Sequence, residues 1–158
     1  MLILSSTDIV SVITGSAVTT SVHASWVDNA AGTITPGRTN TAISTATTTT
    51  VVTSPGASTY RNVRLLSVRN THASSQNAVT IQHNDGTTTV ILWYGILTAG
   101  MTVQLNEMGQ VSLFTAGGLP VTASPTGTYY NFSTANQGAG FATDTYVTGS
   151  QVLIPAQT

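Results

Sequence analysis

The stretch Val18-Thr19-Thr20-Ser21-Val22-His23-Ala24-Ser25-Trp26-Val27-Asp28 decides how the chain is read. Val18, Val22, Ala24 and Trp26 share one parity, while Thr19, Ser21, His23 and Ser25 share the other. Successive Cβ atoms of a strand point to opposite faces of its sheet, so this period of two marks a strand with one face on a core and one in solvent. Trp26 is expected inside. His23 is expected outside, as an exposed and unpartnered imidazole.

Upstream, Asp8 to Thr14 carries Ile9, Val10, Val12 and Ile13 on both parities, which reads as a strand covered on both sides. Downstream, Ala30 to Asn40 contains Gly32, Pro36 and Gly37 and reads as a connecting loop. Thr41 to Thr53 runs through four consecutive threonines into Val51 and Val52. Threonine is β-branched and suits a pleated surface, so the segment reads as one long strand, broken by Pro55 and Gly56. From Tyr60 to Asn70, Val63 and Leu65 lie on one parity and Leu66 and Val68 on the other, as an inserted residue, a β-bulge, would produce. Val79 and Ile81 lead through His83 to the hairpin signal Asn84-Asp85-Gly86. The return strand, Thr87 to Leu97, holds Val90 to Tyr94 and Ile96 and is expected to be covered on both faces. Met101 to Leu105 and Val111 to Phe114 form a further pair through Asn106-Glu107-Met108-Gly109.

No window of 11 or more residues places apolar side chains at helical spacing. The expected fold is all-β, an antiparallel β-sandwich over residues 1–116, jelly-roll-like, followed by a linker at 117–128 and a C-terminal β extension at 129–158. Weak strand signals in the extension fall at Tyr129 to Phe132, Thr145 to Val147 and Gln151 to Ile154. Some 30 residues cannot bury enough surface to fold alone without disulfides or metal, so the extension is expected to pair with the sandwich or with other subunits, or to stay partly mobile.

Of the 158 residues only 6% are charged, against about a quarter in ordinary soluble domains, and the formal net charge is −1. The four cations are all arginine. Nucleic-acid binders neutralise phosphates with many basic side chains, and anionic membranes need basic clusters, so neither partner is expected. The apolar start, Met1 to Ala17, is interrupted by Ser5, Ser6, Thr7 and Asp8 and has no basic residue ahead of it, so it reads as neither signal peptide nor membrane span. The reading is a soluble chain made in the cytoplasm.

Chemistry finds little support. The three histidines, His23, His72 and His83, have no metal-ligand spacing and no carboxylate cluster beside them. His72 reads as a loop residue and His83 as a turn cap. There is no nucleophile elbow, no phosphate-cradling loop and no lysine for a Schiff base. Of the carboxylates, Asp8, Asp28, Asp85, Glu107 and Asp144, four sit beside expected turns or strand ends, where their usual task is turn hydrogen bonding. No cofactor and no metal are expected, and the chain reads as non-enzymatic. Arg61, Arg64 and Arg69 concentrate on one expected strand, and Arg38 follows the Thr35-Pro36-Gly37 segment. Charge on a strand guards a sheet edge; equally, guanidinium forks suit partner carboxylates and carbonyls.

Across His23-Ala24-Ser25-Trp26-Val27-Asp28, Ile34-Thr35-Pro36-Gly37-Arg38-Thr39-Asn40-Thr41, the Thr-rich run, Arg61-Asn62-Val63 and Val79-Thr80-Ile81-Gln82-His83-Asn84-Asp85-Gly86-Thr87, the chain resembles a group of small virion proteins of tailed bacteriophages. The resemblance covers roughly residues 1–116. It implies a β-sandwich or jelly-roll module attached to the particle, as a head decoration protein or the base of a head fibre. Phe141-Ala142-Thr143-Asp144-Thr145-Tyr146-Val147-Thr148-Gly149-Ser150, within 130–155, is similar to the opening of an outward-facing β domain of related phage proteins.

The expected partners are the major capsid protein or other virion proteins, with a homo-oligomer, a trimer by analogy with other decoration proteins, and a place in the virion. The expected interface residues are Arg38, Arg61, Arg64, Arg69, Trp93 and Tyr94. A tail or fibre component binding host carbohydrate through Trp93, Tyr129 and Tyr130 is the alternative. A virion-associated glycan hydrolase using Asp85 and Glu107 is a third possibility.

Overall fold

A computed structural model describes residues 2–121, together with the backbone of residues 127–131 and 151–155. In chain order the strands are β1 (Leu2–Leu4), β2 (Ile9–Thr14), β3 (Thr20–Ala30), β4 (Thr33–Ile43), β5 (Thr48–Val52) and β6 (Thr59–Asn70). They continue with β7 (Asn77–Asn84), β8 (Thr89–Leu97), β9 (Thr102–Asn106), β10 (Val111–Phe114), β11 (Gly127–Asn131) and β12 (Gln151–Pro155). Met1–Val121 is one compact unit and Thr122–Thr158 another. The second unit contains the antiparallel pair β11–β12, with Gly127 opposite Pro155 and Asn131 opposite Gln151. The strand expected at Thr145 to Val147 lies outside the described residues.

The first unit is the expected β-sandwich. One antiparallel sheet has the order β10-β9-β6-β3-β4, with β1 also paired to β6; the other has the order β5-β2-β7-β8. Only the hairpins β3–β4, β7–β8 and β9–β10 keep consecutive strands in one sheet; elsewhere the chain crosses. Each sheet turns one parity inward. Val22, Ala24 and Trp26 of β3, Val63, Leu66 and Val68 of β6, Val10 and Val12 of β2, and Val79 and Ile81 of β7 close into a single core. The switch of parity in β6 is a bulge at Arg64: Ser25 lies opposite Leu65 and Trp26 opposite Val63, so Arg64 is the extra residue. The bulge moves Leu66 onto the face held by Val63, and both are buried.

The segment expected as a loop at Ala30 to Asn40 is instead mostly the edge strand β4, hairpinned to β3 through Ala31-Gly32. Pro36 is tolerated there because an edge strand has an open side that requires no ladder donor. Gly37 lies opposite Trp26, and a Cβ at that position would collide with the indole Nε1. It marks a close approach of backbone to ring rather than a turn. At the hairpin tip Ala31 has φ 49° and Gly32 φ 89°. An alanine in this left-handed region is strained and asparagine is not, so Ala31→Asn is expected to stabilise the chain by about 0.5–1 kcal/mol. The check is a rise in the urea midpoint at unchanged slope.

The expected long strand from Thr41 to Thr53 is two strands. β4 ends at Ile43, residues 44–47 cross between sheets, and β5 pairs with β2. Thr14 holds the crossing, its Oγ1 donating to the Thr45 carbonyl at 2.6 Å and its N–H to the Thr47 carbonyl at 2.9 Å. β2 is central, between β5 and β7, but its outward residues Ile9 and Ile13 are only half-buried. At the far end, residues 117–121 belong to the first unit rather than to a linker. The Thr115 N–H donates to Leu119 O at 2.8 Å, and the Val121 N–H to Leu113 O at 2.8 Å.

Candidate interaction surfaces

The arginines divide by which side of the sheet their position faces. Arg61, on the inward parity of β6, is buried. Its Nε and Nη2 donate to the two carboxylate oxygens of Asp28 at 2.8 Å each, and its Nη1 donates to the Thr53 carbonyl at 2.8 Å. The guanidinium lies over the Trp26 ring, 4.3 Å from its centroid. The Arg61 fork holds the Asp28 carboxyl below the usual carboxylate range. Arg61 is therefore an internal clamp with little left to offer a partner. Arg64, exposed on the bulge, is ion-paired with Glu107 of the β9–β10 turn.

The edge-guard reading of Arg61, Arg64 and Arg69 does not hold, because β6 lies inside its sheet, between β9 and β3. Only Arg38 stands on an edge strand, β4. Arg38 lies opposite Ser25, and Arg69 opposite Ser21, so both project from the outward face of the six-stranded sheet. Both are exposed, and neither forms an ion pair or hydrogen bond with a described residue. Around them are Ser21, His23, Ser25, Asn40 and Ser67, and no carboxylate occupies an outward position of β3 or β4. His23 is half-buried, with Nδ1 2.7 Å from Asn40 Oδ1, so it is partnered rather than free. Two shallow depressions cross this face, one lined by His23, Asn40 and Arg69 and the other by His23, Pro36 and Arg38.

β8 is an edge strand, and its expected two-sided cover is not supplied by the described residues. Val90, Ile91, Tyr94 and Ile96 are 52%, 61%, 65% and 52% exposed. Trp93 faces inward opposite Ile81, half-buried against the core, with its ring filling the space a side chain at Gly95 would take. An apolar pocket of about 210 Å³ opens nearby, lined by Leu2, Leu92, Leu105 and Val111 among others.

No protein-family model matches the sequence, and comparison with curated proteins and with solved structures finds no match.

The remaining described carboxylates, Asp8 and Asp85, are occupied locally, and Asp144 lies outside the described residues. Asp85 Oδ1 accepts the N–H groups of Thr87 at 2.9 Å and Thr88 at 2.6 Å, which lowers its pKa. Asp8 accepts the Ser5 N–H at 3.0 Å and the Ser5 and Thr7 hydroxyls, and the backbone bond is the main cause of its lowered pKa. Both thus do the turn work expected of them. His72 does the expected loop work, its Nδ1 accepting the N–H groups of Ser74 and Ser75 at 3.2 and 2.9 Å. His83 does not cap the hairpin. Asn84 Oδ1 accepts the Gly86 N–H at 2.7 Å, while His83 turns inward with Nε2 3.5 Å from Asp8 Oδ2. Among the described residues no three His, Asp or Glu side chains converge as a metal site, and no helix is long and apolar enough to cross a membrane.

Two buried asparagines escaped the sequence reading. Asn70 and Asn77 are fully buried at the two ends of the β6–β7 crossing. Asn70 Nδ2 donates to the Ser75 and Leu97 carbonyls at 2.8 Å each, and its Oδ1 accepts the His72 N–H at 3.0 Å. Asn77 Oδ1 accepts from the N–H and hydroxyl of Ser16 at 3.2 and 3.0 Å. The only signal in the sequence is that each asparagine borders a strand, which is also where asparagine serves in exposed turns.

Proposed function

We propose that the chain is a non-enzymatic structural protein of a bacteriophage particle, seated on the major capsid protein or another virion protein as a head decoration or head-fibre anchor. The observation that carries this reading is the outward face of the six-stranded sheet. Arg38 and Arg69 stand there without a partner among the described residues, surrounded by serine, asparagine and histidine side chains. Carboxylates and carbonyls of a protein surface suit those two forks. With few charges elsewhere, the contact would depend only modestly on salt. Each bound copy would stabilise the assembled shell by mass action.

Particles assembled without the chain test the proposal. Heads lacking it are expected to lose DNA on heating with chelator sooner than complete heads, and labelled chain is expected on the head in images. The double variant Arg38→Ala/Arg69→Ala is expected to bind particles about tenfold more weakly. Heads that retain DNA equally well without the chain would exclude a stabilising role, and label confined to the tail would assign the chain to the tail instead.

A further inference from the structure

We infer that β8 is a self-association strand, pairing antiparallel with β8 of a second copy about a two-fold axis. The four-stranded sheet β5-β2-β7-β8 would then run on into its partner's. This inference rests on the isolated chain and stands apart from the virion reading.

The first ground is the contrast between β8 and the other sheet edges. An exposed strand edge is a row of unpaired N–H and C=O groups, and monomers blunt it with charge, proline, shortness or cover. β4 carries Pro36 and Arg38. β5 has five residues. β10 has four, and the returning chain bridges Phe114 to Pro120 beside it. β8 has nine residues, Thr-Val-Ile-Leu-Trp-Tyr-Gly-Ile-Leu, with no charge and no proline, and among the described strands only β7 lies beside it.

The second ground is the face beside that edge. Ile91, Tyr94 and Ile96 point outward opposite Gln82, Thr80 and Ala78, and Ser11 and Ile13 of β2 continue the same rows. These positions bear no charge, so a copy of the same surface meets no like-charge repulsion. A two-fold contact requires a surface compatible with itself.

The third ground is area. Taking roughly 150 Å², the low end for an aromatic, as a common side-chain value, the 52–65% exposures of Val90, Ile91, Tyr94 and Ile96 leave about 350 Å² per copy. Edge pairing extends the sheet and leaves its outward face open, so about 700 Å² is the ceiling these side chains set for a symmetric pair, in the range of weak, transient contacts below ~1,200 Å². A weak dimer with a dissociation constant on the order of 10 µM is the expected result.

Light scattering on the purified full chain at 100 µM tests this. The native chain is expected to be a dimer, and Tyr94→Arg a monomer with the same β-sheet circular dichroism, its dissociation constant raised about a thousandfold because the two-fold axis places the substitution in the contact twice. The chain has no cysteine, so single cysteines at Ile91, Leu92, Trp93 and Tyr94 read the register. The residue on the two-fold axis faces itself across the pair, and its variant alone is expected to form a reducible disulfide dimer readily. A monomeric native chain at 100 µM overturns the inference and leaves the face to another occupant. A trimer would need a strand of one copy against a different surface of the next; a trimer with none of the four variants cross-linking overturns it as well.

Discussion

Arg61→Ala is expected to lower the unfolding free energy by about 3 kcal/mol at pH 7, the lower end for breaking a buried ion pair, since Asp28 keeps some solvent contact. The substitution removes a two-pronged bond to Asp28, a bond to the Thr53 carbonyl and the cover over Trp26. It also strands the Asp28 carboxylate. Urea unfolding measures the loss, and a change below 1 kcal/mol would show that the clamp is ornamental.

The effect has a defined pH dependence. Arg61 depresses the pKa of Asp28 in the folded chain, so this contribution is complete above the ordinary value of about 3.9 and vanishes as pH falls through the lower native value. The gap between native and variant chains is therefore expected to be constant from pH 5 to 8 and to narrow below about pH 4. Asp8 and Asp85, also depressed, weaken both proteins alike over the same acid range. A gap that persists undiminished at pH 2 would assign the loss to the packing of the arginine on Trp26 instead.

Asn70→Ala is expected to cost about 3 kcal/mol, because each buried group left without a partner costs roughly 1–3 kcal/mol. It orphans the carbonyls of Ser75 and Leu97 and the N–H of His72 at one position. Asn70→Asp is expected to give no rescue: an ionised carboxylate still accepts from His72 but donates nothing to the two carbonyls. Thermal or urea unfolding separates the variants. Recovery of native stability by Asn70→Asp would show that the acceptor, rather than the donors, holds the crossing.

Where a stretch obeys one local rule, reading and fold agree. The alternation from Val18 to Trp26, the parity switch around Arg64, the Asn84-Asp85-Gly86 hairpin and the β9–β10 pair all follow from side chains alternating across a strand and from turn chemistry. Where the rule depends on neighbours, they part. Pro36 and Gly37 spell a loop only if the strand is central; on an edge, proline is permitted, and the glycine makes room for Trp26. Val90 to Ile96 resembles a strand buried on both faces, and β8 falls instead at the end of its sheet. Of the six expected interface residues, Arg38, Arg69 and Tyr94 are exposed, Arg61 is turned inward, Arg64 is ion-paired and Trp93 packs on the core. A period of two fixes each residue's face relative to its own strand and leaves open which face of the sheet is covered.

By itself, then, the order of residues determined that the chain is built of strands, which residues alternate inward, and that its surface is polar with few charges, six charged residues in every hundred. Only the tertiary structure decided which strands are edges, that Arg61 and the two asparagines hold the interior, and that Arg38, Arg69 and the outward side chains of β8 are exposed among the described residues. The reason is physical. Alternation and turn preference act between neighbours in sequence, whereas edge position and burial depend on contacts between residues far apart along the chain.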